Sequence, residues 1–211
     1  MELAELTVRG FTEEIASASP APGGGSAAAL AGAVGAALTA MVSGLTLGRK
    51  KYEAVQELVL RAQAQADALR KRLLAAMEQD TQTFLQVSAA YAMPKQTPEE
   101  KQARSSAIEQ GLKACTQPPL AVMQLCAEGL ELLESLLGKT NATAASDFGV
   151  ACLSLRAGMQ GAWLNVCINT GSLHDAAFAA GARAAGQKLL DTGLPRADRC
   201  YAAMLAACSE K

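Results

Sequence analysis

The chain has 211 residues, half of them hydrophobic but only 4% aromatic, and a formal net charge of −1. That length suits one domain with a sizeable core, and the near-balanced charge excludes a chain that gathers nucleic acid or an anionic membrane surface through an overall positive field. The six cysteines, Cys115, Cys126, Cys152, Cys167, Cys200 and Cys208, include no Cys-x-x-Cys pair and sit among apolar residues, so buried free thiols are expected rather than a disulfide framework. Glu2, Glu5, Arg9, Glu13 and Glu14 interrupt the N-terminus, which argues against a signal peptide and for a cytoplasmic location.

No window alternates with period two, and patterned windows follow 3.6 residues. An all-α, single-domain helical bundle spanning 1–211, with a long central helix, is therefore expected. A first amphipathic helix is predicted over about 3–18. Ser19-Pro20-Ala21-Pro22-Gly23-Gly24-Gly25-Ser26 must be a loop, with Ser26 as N-cap of a helix running to about Leu47. Ala27 to Leu47 carries no charged residue and is long enough to cross a bilayer. It is dominated by Ala and Gly, however, which gain little from lipid. The spacing Ala28, Gly32, Ala36, Ala40, Gly44 predicts a buried helix that others approach closely, although membrane dimers use the same device. Gly48 closes it and Arg49-Lys50-Lys51-Tyr52 make a basic turn. A long helix follows over about 53–91, then a break at Met93-Pro94-Lys95-Gln96.

Thr97-Pro98-Glu99-Glu100 is a helix start, with Thr at the N-cap and Pro at the first position. That helix is expected to stop or kink at Pro118-Pro119 and to resume to about Leu137. Gly138-Lys139-Thr140-Asn141 is a loop, and Ser146-Asp147 are expected to cap a helix ending near Asn169. Two last helices, near 173–191 and 195–209, are expected to part at Gly193 and Pro195. The nearly charge-free segments 26–47 and 157–173 are more apolar surface than a small monomer hides, which implies a homodimer.

Three features suggest chemistry. On the long helix, Val55, Val59, Ala62, Ala66, Leu69, Leu73, Met77, Phe84, Val87 and Tyr91 fall within roughly 40° of one line at a helical period, and Asp80 lies at the centre of that stripe. A core-facing carboxylate is costly unless paired, hydrogen-bonded or protonated. It either serves proton transfer or ties a core hydroxyl or a helix end. The Pro22-Gly23-Gly24-Gly25-Ser26 loop lets backbone come close to a ligand ahead of a helix N-terminus, or is a tight turn; it lacks the Gly-Lys-Ser/Thr of a phosphate loop and the preceding strand of a dinucleotide site. Asn165 and Asn169, four apart, either knit helices together or bind a ligand edge. Arg49, Lys50, Lys51 and Lys95 lie in flanking turns, solvated or facing a carboxylate-bearing ligand. His174 is the one histidine, and no cluster has metal-ligand spacing, so no metal is expected.

Taken in order, Pro22-Gly23-Gly24-Gly25-Ser26-Ala27-Ala28-Ala29, Gly48-Arg49-Lys50-Lys51-Tyr52, Asp80-Thr81-Gln82-Thr83-Phe84, Met93 to Lys101, Asn141 with Ser146-Asp147, and Asn165-Val166 with Ile168-Asn169 resemble the formiminotetrahydrofolate cyclodeaminase domain and the related methenyltetrahydrofolate cyclohydrolases. The loop reads Gly138-Lys139-Thr140-Asn141 where many members have Gly-Asn. The resemblance implies an all-helical dimer that acts on a reduced folate without metal or redox cofactor. It implies Asp80 as the acid/base group, and substrate contacts at Gly23, Gly24, Gly25, Ser26, Asn141, Asp147 and Asn165. The glutamate tail is then expected near Lys50, Lys51 or Lys95. The implied reaction is cyclodeamination of 5-formiminotetrahydrofolate, with cyclohydrolysis as the alternative and a non-catalytic helical dimer as the third reading.

Overall fold

Small residues decide where the helices meet. The computed structural model describes residues 2–209; among them are six α-helices, α1 (Val8–Ala16), α2 (Gly24–Gly44), α3 (Gln56–Tyr91), α4 (Pro98–Ser135), α5 (Ala145–Gly171) and α6 (Ala176–Ser209). Short 3-10 turns cover Leu3–Glu5, Lys50–Val55 and Ala142–Ala144. Helices α2 and α5 run antiparallel at backbone range: a Cβ built on Gly158 would stand 2.8 Å from the Ala28 carbonyl oxygen and 2.9 Å from the Gly32 nitrogen. One on Gly35 would stand 2.7 Å from Leu155 Cγ and 2.8 Å from the Ala151 carbonyl oxygen. Behind this pair, α3 packs antiparallel to α2, with Gly25 against Asp80, Gly32 against Leu73 and Gly44 against Gln63. Helix α4 backs α5, where Gly129 receives Leu155. Leu73, Met77, Met123, Leu130, Leu133, Leu155 and Met159 fill the space between the layers and are fully buried.

Several boundaries move from those the sequence predicts. The first helix splits because Thr7 caps α1 by accepting from the Gly10 N–H at 3.0 Å. The N-cap of α2 is Gly23, and Ser26 lies inside the helix. The Ser146-Asp147 cap is absent: Ala144 is the N-cap of α5, and the capping side chain in this stretch is Asn141, which accepts from Thr143 N–H at 3.2 Å. At Thr97 the reciprocal capping box with Glu100 forms, with Pro98 at the first position.

Neither expected proline break interrupts its helix. Helix α4 passes through Pro118 and Pro119. Pro119 has no N–H for the Cys115 carbonyl, and the Asn169 amide of α5 takes that acceptor instead at 2.7 Å. Helix α6 continues through Gly193 and Pro195. Gly193 is there for contact, since a Cβ would meet Met159 Cε at 2.5 Å. Pro195 lies on the exposed side, where water can satisfy the carbonyl one turn earlier. Of the stripe on α3, Phe84 and Tyr91 are exposed, because the helix outruns α2 beyond Asp80; a second small cluster of Val87, Leu112 and Cys115 continues there between α3 and α4.

The close α2–α5 approach predicts opposite outcomes for two glycine substitutions. Gly158→Ala should destabilise by about 1–3 kcal/mol, because backbone rather than a flexible side chain stands in the way. Gly181→Ala on α6, with nothing within 4 Å of the new Cβ, should stabilise by about 0.5–1 kcal/mol through helix propensity. Thermal melts of the two variants check the pair.

Candidate active site

Antiparallel packing brings four elements to the N-terminal end of α2. They enclose a cleft of about 260 Å³, with Pro20 and Ala21 from the loop, Gly23, Gly24 and Gly25 at the start of α2, and Asp80, Thr81 and Phe84 from α3. Cys115 of α4 and Asn165, Ile168 and Asn169 of α5 complete it. That volume is at the small end for ligand sites and accommodates one end of an elongated molecule rather than all of it.

Asp80 meets the helix terminus directly. Its Oδ2 accepts from the Ser26 hydroxyl at 2.9 Å. Burial pushes the Asp80 carboxyl above the ordinary carboxylate range, while hydrogen bonds from the Ser26 hydroxyl and the Ser26 backbone N–H pull the other way. Gly25 is glycine because a Cβ would overlap the carboxylate, 2.3 Å from Oδ1. Gly23 and Gly24 differ: nothing approaches a Cβ at Gly23 within 4 Å, and at Gly24 only Asn165 Nδ2 does, at 3.8 Å. Both open into the cleft. Gly23 carries no capping side chain, so the first N–H groups of α2 point there with the positive end of the helix dipole.

The amides divide their tasks. Asn165 donates to the Gly161 carbonyl of its own helix at 3.0 Å and borders the cleft opposite Gly24. Asn169 secures α5 to α4 through Cys115. Burial raises the Cys115 thiol above its usual range, so it is a neutral wall. Sequence reading treats Cys115 only as a core thiol; its place in the cleft follows from the register of α4 on α5, which no local pattern reveals. The same holds for Pro20 and Ala21.

Other expected contacts lie elsewhere. Ser26 is fully buried and touches Asp80 rather than open cleft. Lys50 and Lys51 are exposed beyond the C-terminal end of α2, about 30 Å along that helix from Gly24. Asn141 is at the same far end, buried, with its N–H on Thr46 Oγ1 at 2.9 Å and its amide on the Leu45 carbonyl at 3.4 Å. It closes the end of α2 and contacts no cleft atom. Asp147, in the first turn of α5, belongs to that end too. Lys95 is exposed in the connection between α3 and α4 and does not line the cleft. A larger hollow of about 410 Å³ between α3 and α4 carries no free acid/base group, since Arg72 pairs with Glu128 at 2.9 Å and Glu131 faces Arg196 at 3.7 Å. No group of three His, Cys, Asp or Glu side chains is placed to hold a metal ion among the described residues.

Two loop variants separate filling the cleft from moving the carboxylate. Gly24→Val should weaken reduced-folate binding with little change in melting temperature, because its side chain enters cleft space. Gly25→Ala should retain binding better than turnover, because its Cβ displaces Asp80. Affinity, turnover and melting temperature measured together check both; a Gly24→Val variant that binds normally but melts early returns the loop to the status of a turn.

Residues 7–188 match the family described as Formiminotransferase-cyclodeaminase. The chain is 43% identical over 173 residues to a methenyltetrahydrofolate cyclohydrolase of Methylorubrum extorquens, covering 82% of this chain and 83% of that protein. It is 34% identical over 176 residues to a mouse formimidoyltransferase-cyclodeaminase, of which it spans only 32%. The crystal structure of formiminotetrahydrofolate cyclodeaminase from Thermotoga maritima superposes with a TM-score of 0.81 at 26% identity, over 98% of this chain and 97% of that one. The chain belongs to the formiminotransferase-cyclodeaminase family.

Proposed function

We propose that the chain is a folate one-carbon enzyme that makes or opens the methenyl bridge of tetrahydrofolate, with Asp80 as its acid/base group. The observation that carries this reading is a carboxylate with a raised pKa at the edge of a cleft walled by glycine backbone and two amides, in a chain of this family. In cyclodeamination, N10 attacks the carbon of the protonated formimino group on N5 and gives its proton to Asp80. The bond from that carbon to the formimino nitrogen then breaks, and Asp80 returns the proton as ammonia leaves. The ordered motifs along the whole chain support this reaction. The 43% identity to the cyclohydrolase from M. extorquens, over 83% of that protein's length, favours a second reading. There Asp80 takes a proton from water as the oxygen adds to the methenyl carbon and returns it to N5 as the C–N5 bond breaks, and the carbinol hydroxyl gives its proton to solvent as it becomes the carbonyl of the 10-formyl compound. Neither reaction changes the oxidation state of the one-carbon unit, so neither calls for a redox cofactor. The cleft receives the pterin and one-carbon end, and the glutamate tail leaves it.

The same reading includes a homodimer. The exposed Val34 and Met41 of α2 with its C-cap Leu45, and the exposed Val150, Leu153, Leu164 and Ile168 of α5, lie on the side turned from α3 and α4. In this reading they make up one apolar face, the kind of exposed patch that marks an interface. A second copy of the same face covers it by two-fold symmetry. Ile168, 71% exposed, belongs both to this face and to the cleft, so the interface adjoins the site.

Asp80→Asn should lower turnover by about 10²-fold or more while keeping folate affinity. The folded state raises this carboxyl's pKa, so the stability that protonated Asp80 contributes is lost as pH rises through the folded value. The asparagine variant lacks that loss and should melt no lower than the parent at neutral pH. Turnover within a few-fold of the parent would remove Asp80 from the chemistry. Assaying both substrates at matched concentration assigns the reaction: ammonia released from the formimino compound supports cyclodeamination, and hydrolysis of the methenyl compound without it installs cyclohydrolysis.

Leu164→Glu, at a position 69% exposed, should leave the helical circular dichroism signal unchanged and reduce the solution mass from dimer to monomer. A parent chain that is already monomeric by light scattering refutes the interface.

A further inference from the structure

The hydroxyl of Ser26 has one proton and three neighbours that can share it. Ser26 Oγ lies 2.9 Å from Asp80 Oδ2, 3.0 Å from Thr81 Oγ1 and 3.4 Å from the Met77 carbonyl oxygen. Ser26 itself has no exposed surface, so it acts on a ligand only through Asp80. The cluster is asymmetric at the carboxylate: Oδ2 carries the hydroxyl contact, and Oδ1 stands against Gly25, where any side chain would displace it.

We propose that Ser26 is a positioning residue for Asp80: it donates to Oδ2 while the carboxylate is ionised and turns its proton to the Met77 carbonyl when Asp80 holds one, with Thr81 donating to Ser26 Oγ throughout. This rests on the reading of Asp80 as the acid/base group. Met77 is one turn before Thr81 on α3, so its carbonyl serves the helix and keeps a second lone pair for Ser26. Turning the hydroxyl therefore leaves neither Ser26 nor Met77 unsatisfied, which matters because a buried orphan donor is expensive. The exchange lets a carboxyl in a desolvated setting take and return a proton without moving its heavy atoms. Burial raises the Asp80 carboxyl above its ordinary range, and the Ser26 hydrogen bonds act against that rise.

Few other charges face Asp80. From α2 there is no titratable side chain, from α5 there are the neutral Asn165 and Asn169, and from α4 there is Cys115, whose thiol burial keeps neutral. On α3 itself Glu78 is turned to the Ala4 N–H, which it accepts at 3.0 Å. The Asp80 titration is thus set by burial, Ser26 and the start of α2. A plain structural tie between α2 and α3 would use the same contacts, but it would not move that titration in step with activity.

The test follows the Asp80 carboxyl by carbon-13 NMR in the ligand-free full chain, with Asp80→Asn identifying its signal, alongside turnover against pH. Ser26→Ala should move the Asp80 midpoint to higher pH by about one unit, the scale of one lost hydrogen bond to a charged group. The rise of turnover with pH should move with it, so that losses are largest at the acid end. Thr81→Val should shift the midpoint in the same direction by less. An unmoved midpoint in Ser26→Ala, with turnover depressed equally at every pH, overturns the proposal. If Ser26→Ala does not fold, an unmoved midpoint in Thr81→Val overturns it. Full turnover in Asp80→Asn would instead sink the acid/base reading, and the NMR midpoints would still report whether Ser26 holds Asp80.

Discussion

The contact on which the rest depends is the backbone approach of α2 to α5 at Gly158, Gly32 and Gly35. Two helices that touch at their main chains bury little side-chain surface between them, so the apolar residues are pushed to the layers on either side. One side is filled by the long α3 and α4 with Leu73, Met77, Met123 and Leu130. The other side keeps Val34, Met41, Leu164 and Ile168 exposed. The approach also places the first turn of α2 between α3 and α5, and that geometry, together with Pro20 and Ala21 of the preceding loop, makes the cleft. Glycine at Gly25 serves the same end, since it is the one place where a Cβ would evict the carboxylate.

Asp80 carries features of both readings that sequence reasoning set against each other. It ties a core hydroxyl at a helix start, as a structural carboxylate would, and it borders a cleft with its pKa raised by burial. The tie does not exclude the proposed proton transfer, because burial favours the protonated carboxyl while the hydroxyl and helix N–H favour the ionised one. A carboxylate paired with arginine would be locked in its ionised form; none of the residues lining the cleft is a cation.

The two ends of α2 do different work. At the far end Arg49 Nε donates to the Leu45 carbonyl at 2.7 Å, and the Tyr52 hydroxyl accepts from Ala142 N–H at 3.0 Å. With Asn141 these contacts close the helix C-terminus and attach the start of α5. Arg49 and Asn141 thus both satisfy the Leu45 carbonyl at the end of a buried helix.

Much was legible in the chain itself. Periodicity determined an all-helical bundle, the charge-free Ala/Gly segment determined a buried helix, and the position of Asp80 on its wheel determined that a carboxylate must face the interior. Thr97 and Glu100 determined their own cap, because capping is a local exchange between residues three apart. What tertiary structure decided was everything that needs a partner distant in sequence. Pro119 does not end α4, and Asn169 on another helix supplies the donor that the Cys115 carbonyl would otherwise lack. Ser26 is not a cap and lies buried off the open cleft, its hydroxyl on Asp80, 54 residues away. Lys50, Lys51 and Asn141 are near Gly24 in the list of motifs but a helix length from it in space. Local rules set which hydrogen bonds a segment leaves open; only the packed helices settle which distant group closes them.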